Sequence, residues 1–569
     1  MSASSSQPTG EIKRLIAQSV IGALAAAREA GELALADLPS ADAFQVERPP
    51  SPEFGDWSCN AAMVLAKAAK QPPRRVAETI VRRLPPSELI ERVEVAGAGF
   101  LNFFLKPAWL HAAVHEALER DADYGKNDTL RGRKIQVEFV SANPTGPLNV
   151  VSGRAAAYGD TLAGLLAWCG AEITREYYVN DALHSTQIER FGLSLEARYC
   201  QALGQDKPLP ADAYQGEYLA EMGAQIAHEH GDRYLALSEQ ERVAAFTGMA
   251  LARIVADAKA VLEAFGVRYQ VWFHESQLVK SGAVEAVVEA LRQAGHTYEA
   301  EGAVWFRATA FGVEKDEVLI RRTGQPAYLA GDLAYHRDKH ERGFSHVIDI
   351  WGPDHHGHVA RTLAGVKALG YPEGWLEIII HQMVRLVRGG ELVRMSKRAG
   401  EIVALSDLVS DVGKDVARFF FLMRSADAAL DFDLELAKQE SEENPVYYVQ
   451  YGHARICSIL REAEKRGVPL PRWGEVNLAL LREPDELAVM RALADFPEEV
   501  EQAAHTRGAH RMTRYAQELA RIFHSFYTNC RVLGDDPALT AARLALVQAS
   551  RIVLRNVCGI LGIEAPERM

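Results

Sequence analysis

Hydrophobic and polar positions change period several times along the chain, and each change predicts an element. From Lys134 the period is two. Ile135, Val137 and Phe139 fall on one side and Gln136, Glu138 and Val140 on the other, which predicts a strand. A loop rich in proline and glycine follows, from Asn143 to Pro147. The period then lengthens to that of a helix, with Leu162, Leu165, Leu166 and Cys169 on one stripe and Gly170 as the stop. Ile173 to Val179 reads as the next strand. Strand, loop, helix and strand in this order predict parallel strands joined by a crossover. The loop then falls at the carboxyl end of a strand and the amino end of a helix. Free N–H groups and the helix dipole favour anions there.

The flanking stretches predict different layers. Ile12 to Leu35 is an amphipathic, alanine-rich helical pattern, and two more helices are broken at Gln71-Pro-Pro73. Val93 to Phe104 reads as strand, glycine turn and strand, with Phe100, Phe103 and Phe104 as core. Gln187 to Phe265 is long, helical and rich in Ala, Glu and Leu, the pattern of an inserted scaffold. Ala303–Phe306 and Val318–Ile320 bracket an antiparallel excursion, while Val347–Ile350 and Ile378–Ile380 read as buried strands. From Ala426 onward the pattern is almost wholly helical, with Leu519, Ile522, Phe523 and Phe526 marking a bundle. The expected fold is multidomain α/β plus α. An N-terminal α+β module spans 1–130. A Rossmann-like parallel-sheet domain spans 131–425, with an insertion at about 187–300, and an all-α bundle spans 426–569.

Length agrees, since 569 residues exceed one core and predict roughly three to four domains. The chain is 48% hydrophobic and 24% charged, ordinary for a soluble globular protein. No uninterrupted apolar run matches a membrane span, and the first residues lack the basic and apolar segments of a signal peptide. Cys59, Cys169, Cys200, Cys457, Cys530 and Cys558 are scattered without a CxxC pair. This points to a reducing compartment and away from disulfides or zinc. A net charge of −13 counts against general nucleic-acid binding but leaves room for a local basic face.

Three stretches carry candidate chemistry. Past Val347–Ile350, the run Trp351-Gly-Pro-Asp-His-His356 offers Gly352 for close approach and Asp354 for ribose hydroxyls. His355, His356 and His358 have no carboxylate or cysteine pattern to complete a metal shell, so no protein-held metal is expected. Arg394-Met-Ser-Lys397, followed by Ala-Gly400, places a lysine on a glycine-flanked loop, suited to phosphate at the moment charge moves. Read alone, a solvated basic run is the better reading; the phosphate reading gains weight because the loop follows a terminal parallel strand far downstream of the first loop. In the bundle, Tyr447, Tyr448, Tyr451, His453 and Arg455 interleave aromatics with charge, as do Arg511, Arg514, Tyr515, Arg521 and Arg531 later. Such surfaces stack on splayed bases, although an amphipathic bundle capped by tyrosines has the same text.

The loop text SANPTGPL, four residues and Gly-Arg resembles the first signature of class I aminoacyl-tRNA synthetases, in the form used by arginyl-tRNA synthetases. Arg394–Lys397 resembles their second signature. GDWSCNAAMVLAK and VEVAGAGFLNFFL resemble their N-terminal additional domain, and the final stretch through APERM their anticodon-binding domain. The resemblance covers essentially the whole chain. It implies ATP-dependent activation of L-arginine and transfer to tRNA(Arg), with Mg2+ on the ATP, by a cytoplasmic monomer. The N-terminal module would touch the tRNA elbow. By resemblance, ATP would meet Pro147, Leu148, Asn149, Val151, Ser152, Gly352, Asp354, His355, Met395, Ser396 and Lys397, with Asn149, Ser152 and Lys397 catalytic. Arginine would meet Glu138, Ser141, Asn143, Tyr328 and Asp332. Transfer RNA would meet Tyr447, Tyr451, His453, Arg455, Arg521 and Met569.

One departure is conspicuous. Where the family has two histidines flanking a small pair, this chain has Asn149-Val150-Val151-Ser152. Donor capacity survives in the asparagine amide and the serine hydroxyl, while Val151 is expected to displace the adenine slightly. Two rivals stay open: a paralogue that loads arginine onto another acceptor, which should lack the C-terminal bundle present here, and a non-catalytic tRNA-binding protein, to which the departure points.

Overall fold

The computed structural model describes residues 8–181, 186–393 and 403–569. Its organising layer is a five-stranded parallel sheet of β1 (Lys134–Glu138), β2 (Glu172–Val179), β3 (Val271–His274), β4 (His346–Trp351) and β5 (Leu376–Ile380), in the order β5-β4-β1-β2-β3. The chain leaves β1 in one direction and returns on its other side as β4. The loops after β1 and β4 therefore diverge, opening the crevice where such sheets bind ligands. Helix α1 (Val150–Trp168) crosses from β1 to β2. Leu162, Leu165, Leu166 and Cys169 are all buried, as the helical period requires. Close packing is enforced at Gly159, where a Cβ would lie 2.2 Å from the Phe139 ring.

After β2 the chain leaves the sheet for three helices, α2 (Thr186–Ala202), α3 (Glu217–His230) and α4 (Glu239–Ala264). They enclose a core of their own around Phe191, Leu195, Tyr199, Leu219 and Phe246. Strand β3, within the stretch read as insertion, rejoins the central sheet beside β2. Helix α5 (Glu275–Ser281) follows, then an antiparallel sheet of Thr297–Ala300, Ala303–Phe306 and Glu317–Ile320, then α6 (Tyr328–Glu341). Because α6 leads into parallel strand β4, its first turn lies at the carboxyl ends of the strands.

The N-terminal module is a four-stranded antiparallel sheet with helices Pro8–Glu29, Ala61–Ala69 and Pro73–Arg83. Of its three phenylalanines expected in the core, only Phe103 is buried. Alternation places Leu101, Phe103 and Leu105 inward, leaving Phe100 37% exposed and Phe104 under the Arg92 guanidinium. The C-terminal part is a bundle of α7 (Pro445–Lys465), α8 (Pro484–His505), α9 (His510–Asn529) and α10 (Pro537–Leu561). By length and composition α10 is apolar enough to cross a bilayer, although Arg543, Arg551 and Arg555 interrupt it, and 78% of its most apolar window is buried. Many contacts fix the bundle to the rest, among them Arg491–Asp56, Arg418–Leu561 and Asn556–Asp121. The Tyr124 hydroxyl donates to the Leu493 carbonyl (3.0 Å). Arg507, between α8 and α9, grips Glu377 of β5 with N···O distances of 2.9–3.2 Å.

Candidate active site

The first signature loop is shaped by its exit from β1. Val140 and Ser141 adopt φ of 70° and 37°, a conformation that costs a side-chain-bearing residue free energy and clusters at functional sites. The turn is held from below. Ser141 Oγ donates to Glu138 Oε1 (3.0 Å) and accepts from the Tyr178 amide (3.1 Å). Asn143 follows, its carboxamide accepting from Asn180 Nδ2 (3.2 Å) and donating to Gln187 Oε1 (3.3 Å). Pro147 and Leu148 lead into α1.

Asn149 is the N-cap of α1. Its Oδ1 accepts from the amides of Val151 and Ser152 (3.0 Å each) and from Ser152 Oγ (3.3 Å). Asparagine suits this position because its oxygen satisfies two otherwise unpaired helix-start donors. Thus Asn149 and Ser152 are not two independent donors. The asparagine acceptor is committed to the start of α1. Gly153 serves packing, since a Cβ there would come within 2.6 Å of Leu405. The Leu405 amide donates to the Leu148 carbonyl (2.8 Å), and Asn149 pairs with Ala404 in an isolated bridge. Residues 404–405 directly follow the second signature. Met395, Ser396 and Lys397, with Arg394 and Arg398, lie outside the described residues.

Across the crevice, β4 ends in Gly352, Asp354 and His355. A Cβ on Gly352 would meet Asp354 Oδ1 at 2.6 Å, so the glycine makes room for that carboxylate. The Asp354 side chain is 80% exposed and lies 3.6 Å from His355 Nε2.

The level beneath is a row of acids that alternation alone does not reveal. Asp349, Glu138 and Glu176 are register partners on β4, β1 and β2. Helix α6 answers them. Lys339 Nζ donates to Glu138 and Asp349 at 2.7 Å each, and His336 Nε2 lies 2.9 Å from Asp349. The Tyr335 hydroxyl donates to Glu176 (2.6 Å), and Arg342 grips it twice (2.7 and 2.8 Å). Burial pushes the Glu138 carboxyl up; for Asp349, burial is outweighed by the Lys339 charge and the His336 hydrogen bond, which hold it down. Glu138 therefore already has a cation, and it reaches the crevice only through Ser141.

These contacts fix α6, whose first turns carry Tyr328 and Asp332 four residues apart on one face. Tyr328 is 69% exposed. The Asp332 carboxyl is pushed up by burial, with His336, Arg361 and His355 as nearby cationic or titratable groups acting the other way. Sequence reasoning missed a further acid. Glu275 opens α5 at the carboxyl end of β3. It is hydrogen-bonded to the Tyr178 phenol, whose ionisation is suppressed first by burial and then by the charges of Glu275, Asp332 and Glu138. Its Oε1 lies 3.9 Å from where a Gly331 Cβ would be, next to Asp332 in the chain. The signal was its place, one residue past a parallel strand, but β3 is four residues long and was not read as a strand.

The bundle divides the expected tRNA residues. Tyr451, Arg455 and Met569 line one groove of about 1040 Å³ with Arg461, Tyr527 and Arg531. Arg455 lies 4.6 Å from the Tyr451 ring centroid and 5.4 Å from that of Tyr527. Tyr447 stacks along α7 on Tyr451 (6.2 Å). Arg521 pairs with Glu518 and lines a separate concavity with Tyr448 and His510. His453 is buried and bonded to the Pro566 carbonyl (2.9 Å), so it holds the C-terminal tail.

A parallel sheet with its crevice between β1 and β4, a capped helix beside that crevice and a C-terminal helical bundle fit the architecture of a class I aminoacyl-tRNA synthetase. Family comparison is specific. Residues 11–105 match the arginyl tRNA synthetase N terminal domain, 113–420 the tRNA synthetases class I (R) catalytic domain, and 449–569 the DALR anticodon binding domain. An arginine–tRNA ligase of Heliobacterium modesticaldum is 50% identical over 98% of this chain and 99% of its own. One of Moorella thermoacetica is 50% identical, also over 98% and 99%. The Thermus thermophilus arginyl-tRNA synthetase structure shares the fold, with a TM-score of 0.74 at 24% identity over 98% of this chain and 100% of that one. The chain belongs to the arginyl-tRNA synthetase family, the arginine–tRNA ligases.

Proposed function

We propose that the chain activates L-arginine with ATP and transfers it to tRNA(Arg) through the following site. The observation that carries this reading is the convergence of Asp332 and Glu275 around Tyr178, beside the signature loop. A guanidinium is planar, forked and permanently charged, and it needs carboxylates that accept from several directions. Asp332 and Glu275 serve that end, with Tyr328 closing over it. Asn143 takes the α-ammonium group, and Glu138 acts through Ser141 by fixing the turn on which Asn143 sits. This orientation leaves the arginine carboxylate facing the mouth of α1.

One carboxylate oxygen then attacks the α-phosphorus of ATP; the new P–O bond forms as the bond to the β-phosphate breaks, releasing pyrophosphate. Pro147, Leu148 and Val151 flank the base, Gly352, Asp354 and His355 the ribose. The Asn149 amide N–H groups and the amino end of α1 face the phosphates. Lys397, with Met395 and Ser396 beside it, meets charge developing on the departing pyrophosphate. Mg2+ arrives with ATP and neutralises the phosphates. The terminal adenosine hydroxyl of the tRNA then takes the arginyl group and AMP leaves. Tyr447, Tyr451, Arg455, Arg521 and Met569 form the tRNA face, with His453 positioning the tail. We also propose the extents 1–130, 131–425 and 426–569 for the three parts, and a monomer in the cytoplasm, a setting that suits six free, buried cysteines.

The test compares arginine with citrulline, nearly isosteric but uncharged, in ATP–pyrophosphate exchange with tRNA present. Leaving buried carboxylates unpaired predicts discrimination of about 10⁴–10⁵. Asp332→Asn and Glu275→Gln should each lose arginine activation while ATP binding persists. Near-native activation by both would place the guanidinium elsewhere.

A further inference from the structure

The helical insertion touches the catalytic loop at its crest through a tyrosine. The Tyr218 hydroxyl donates to the Thr145 carbonyl (2.8 Å), at the crest of the loop between β1 and α1. Thr145 is itself in a tight turn, its amide donating to the Asn143 carbonyl (2.8 Å). Two glycines clear space for the ring. A Cβ on Gly216 would meet Tyr218 Cε1 at 2.2 Å, and one on Gly146 would crowd the hydroxyl at 3.2 Å. The tyrosine cannot drift, because the next residue, Leu219, is fully buried in the insertion's own core and Phe191 lies 6.4 Å from the Tyr218 ring. Burial also keeps the phenol protonated, hence a permanent donor.

The same insertion reaches Asn143 a second way, through Gln187 on α2, whose Oε1 accepts from the Asn143 amide (3.3 Å). Behind the loop, Ile254, Val255 and Ala258 of α4 face Pro144 and Leu148 across an apolar seam. The loop therefore rests on the insertion at its crest, its back and its substrate-facing asparagine.

We propose that Tyr218 is a positioning residue for arginine activation, holding the loop crest so that Asn143 faces the substrate ammonium. This inference rests on the role given to Asn143 above. It assigns the insertion a part in the chemistry that its Ala- and Leu-rich sequence does not disclose.

Tyr218→Phe keeps the ring and removes only the hydroxyl. One net hydrogen bond predicts a loss of about threefold to tenfold. In ATP–pyrophosphate exchange by the full chain, with tRNA present, the arginine KM should rise by that factor. The KM for ATP and the affinity for tRNA should stay within about twofold. Gln187→Ala, at an exposed position, should shift the arginine KM in the same direction. A merely structural role would lower the melting temperature and leave both Michaelis constants unmoved. Wild-type arginine kinetics in Tyr218→Phe would overturn the proposal, whatever happens to stability. Absence of arginine-dependent exchange in the unaltered chain would instead refute the function proposed above.

Discussion

Lys339→Met removes the ammonium that pairs with Glu138 and Asp349 in the buried acid row of the central sheet. Lys339 is fully buried and bonds Glu138 and Asp349 at 2.7 Å each. At an effective dielectric constant of about 20, each contact attracts by roughly 6 kcal/mol. Desolvating the ions opposes this by several kcal/mol per group, so the net worth of the intact cluster is small. Removing one partner is different, because two carboxylates keep their desolvation cost and lose the attraction. The expected loss is about 3–5 kcal/mol, a fall in melting temperature of roughly 6–15 °C for the catalytic domain. Differential scanning calorimetry of the full chain at neutral pH measures it. Adding Glu138→Gln and Asp349→Asn to the same variant should recover more than half, because no charge is then left unpaired. A single-variant shift below about 2 °C, or no recovery in the triple variant, would refute this account of the row.

Asn149→Ala should do two separable things: weaken the start of α1 by about 1 kcal/mol, the usual worth of an N-cap, and slow adenylate formation by about 10²–10³, as when one transition-state donor is lost. Single-turnover formation of the adenylate reads the second effect, and an unchanged rate would confine Asn149 to capping. Glu377 gives a pH signature. Burial alone would raise its carboxyl, but hydrogen bonds from His346 and Arg507 hold it at about 2, below its ordinary 4.5. A depressed carboxyl stabilises the fold above its unfolded pKa, and that contribution is lost as pH falls from about 4.5 towards 2. After screening it amounts to roughly 1–2 kcal/mol. Arg507→Ala should therefore destabilise the chain at pH 7 and flatten its acid limb, as followed by thermal melts between pH 3 and 7. An unaltered pH profile would mean the clamp carries no weight.

Much of this was legible where the information is local. The period-two run at Ile135–Phe139, the loop at Asn143–Pro147 and the helical stripe ending at Gly170 lie within about ten to thirty residues of one another, so pattern alone placed the signature loop on the right elements. The acid row was not legible, because Glu138 and Asp349 become neighbours only through strands 211 residues apart in register. Glu138 read as a direct contact of arginine for want of sight of Lys339, with which it pairs. Glu275 was hidden because β3 is too short to show a period. Asn149 carries a second signal that was passed over: an asparagine just ahead of a helical run is an N-cap, and it was weighed only as a donor to phosphate. His453 sits on the same segment as the half-buried Tyr451 and Arg455, and only the helical phase turns it inward to Pro566.

The most direct test is charging itself. The full chain is mixed with ATP, Mg2+, radiolabelled L-arginine and tRNA(Arg), and acid-precipitable arginine is followed over time. The account predicts arginyl-tRNA at one terminal adenosine per tRNA, with AMP and pyrophosphate released in equal amounts. Firm tRNA binding without charging, or charging by citrulline as readily as by arginine, would contradict it.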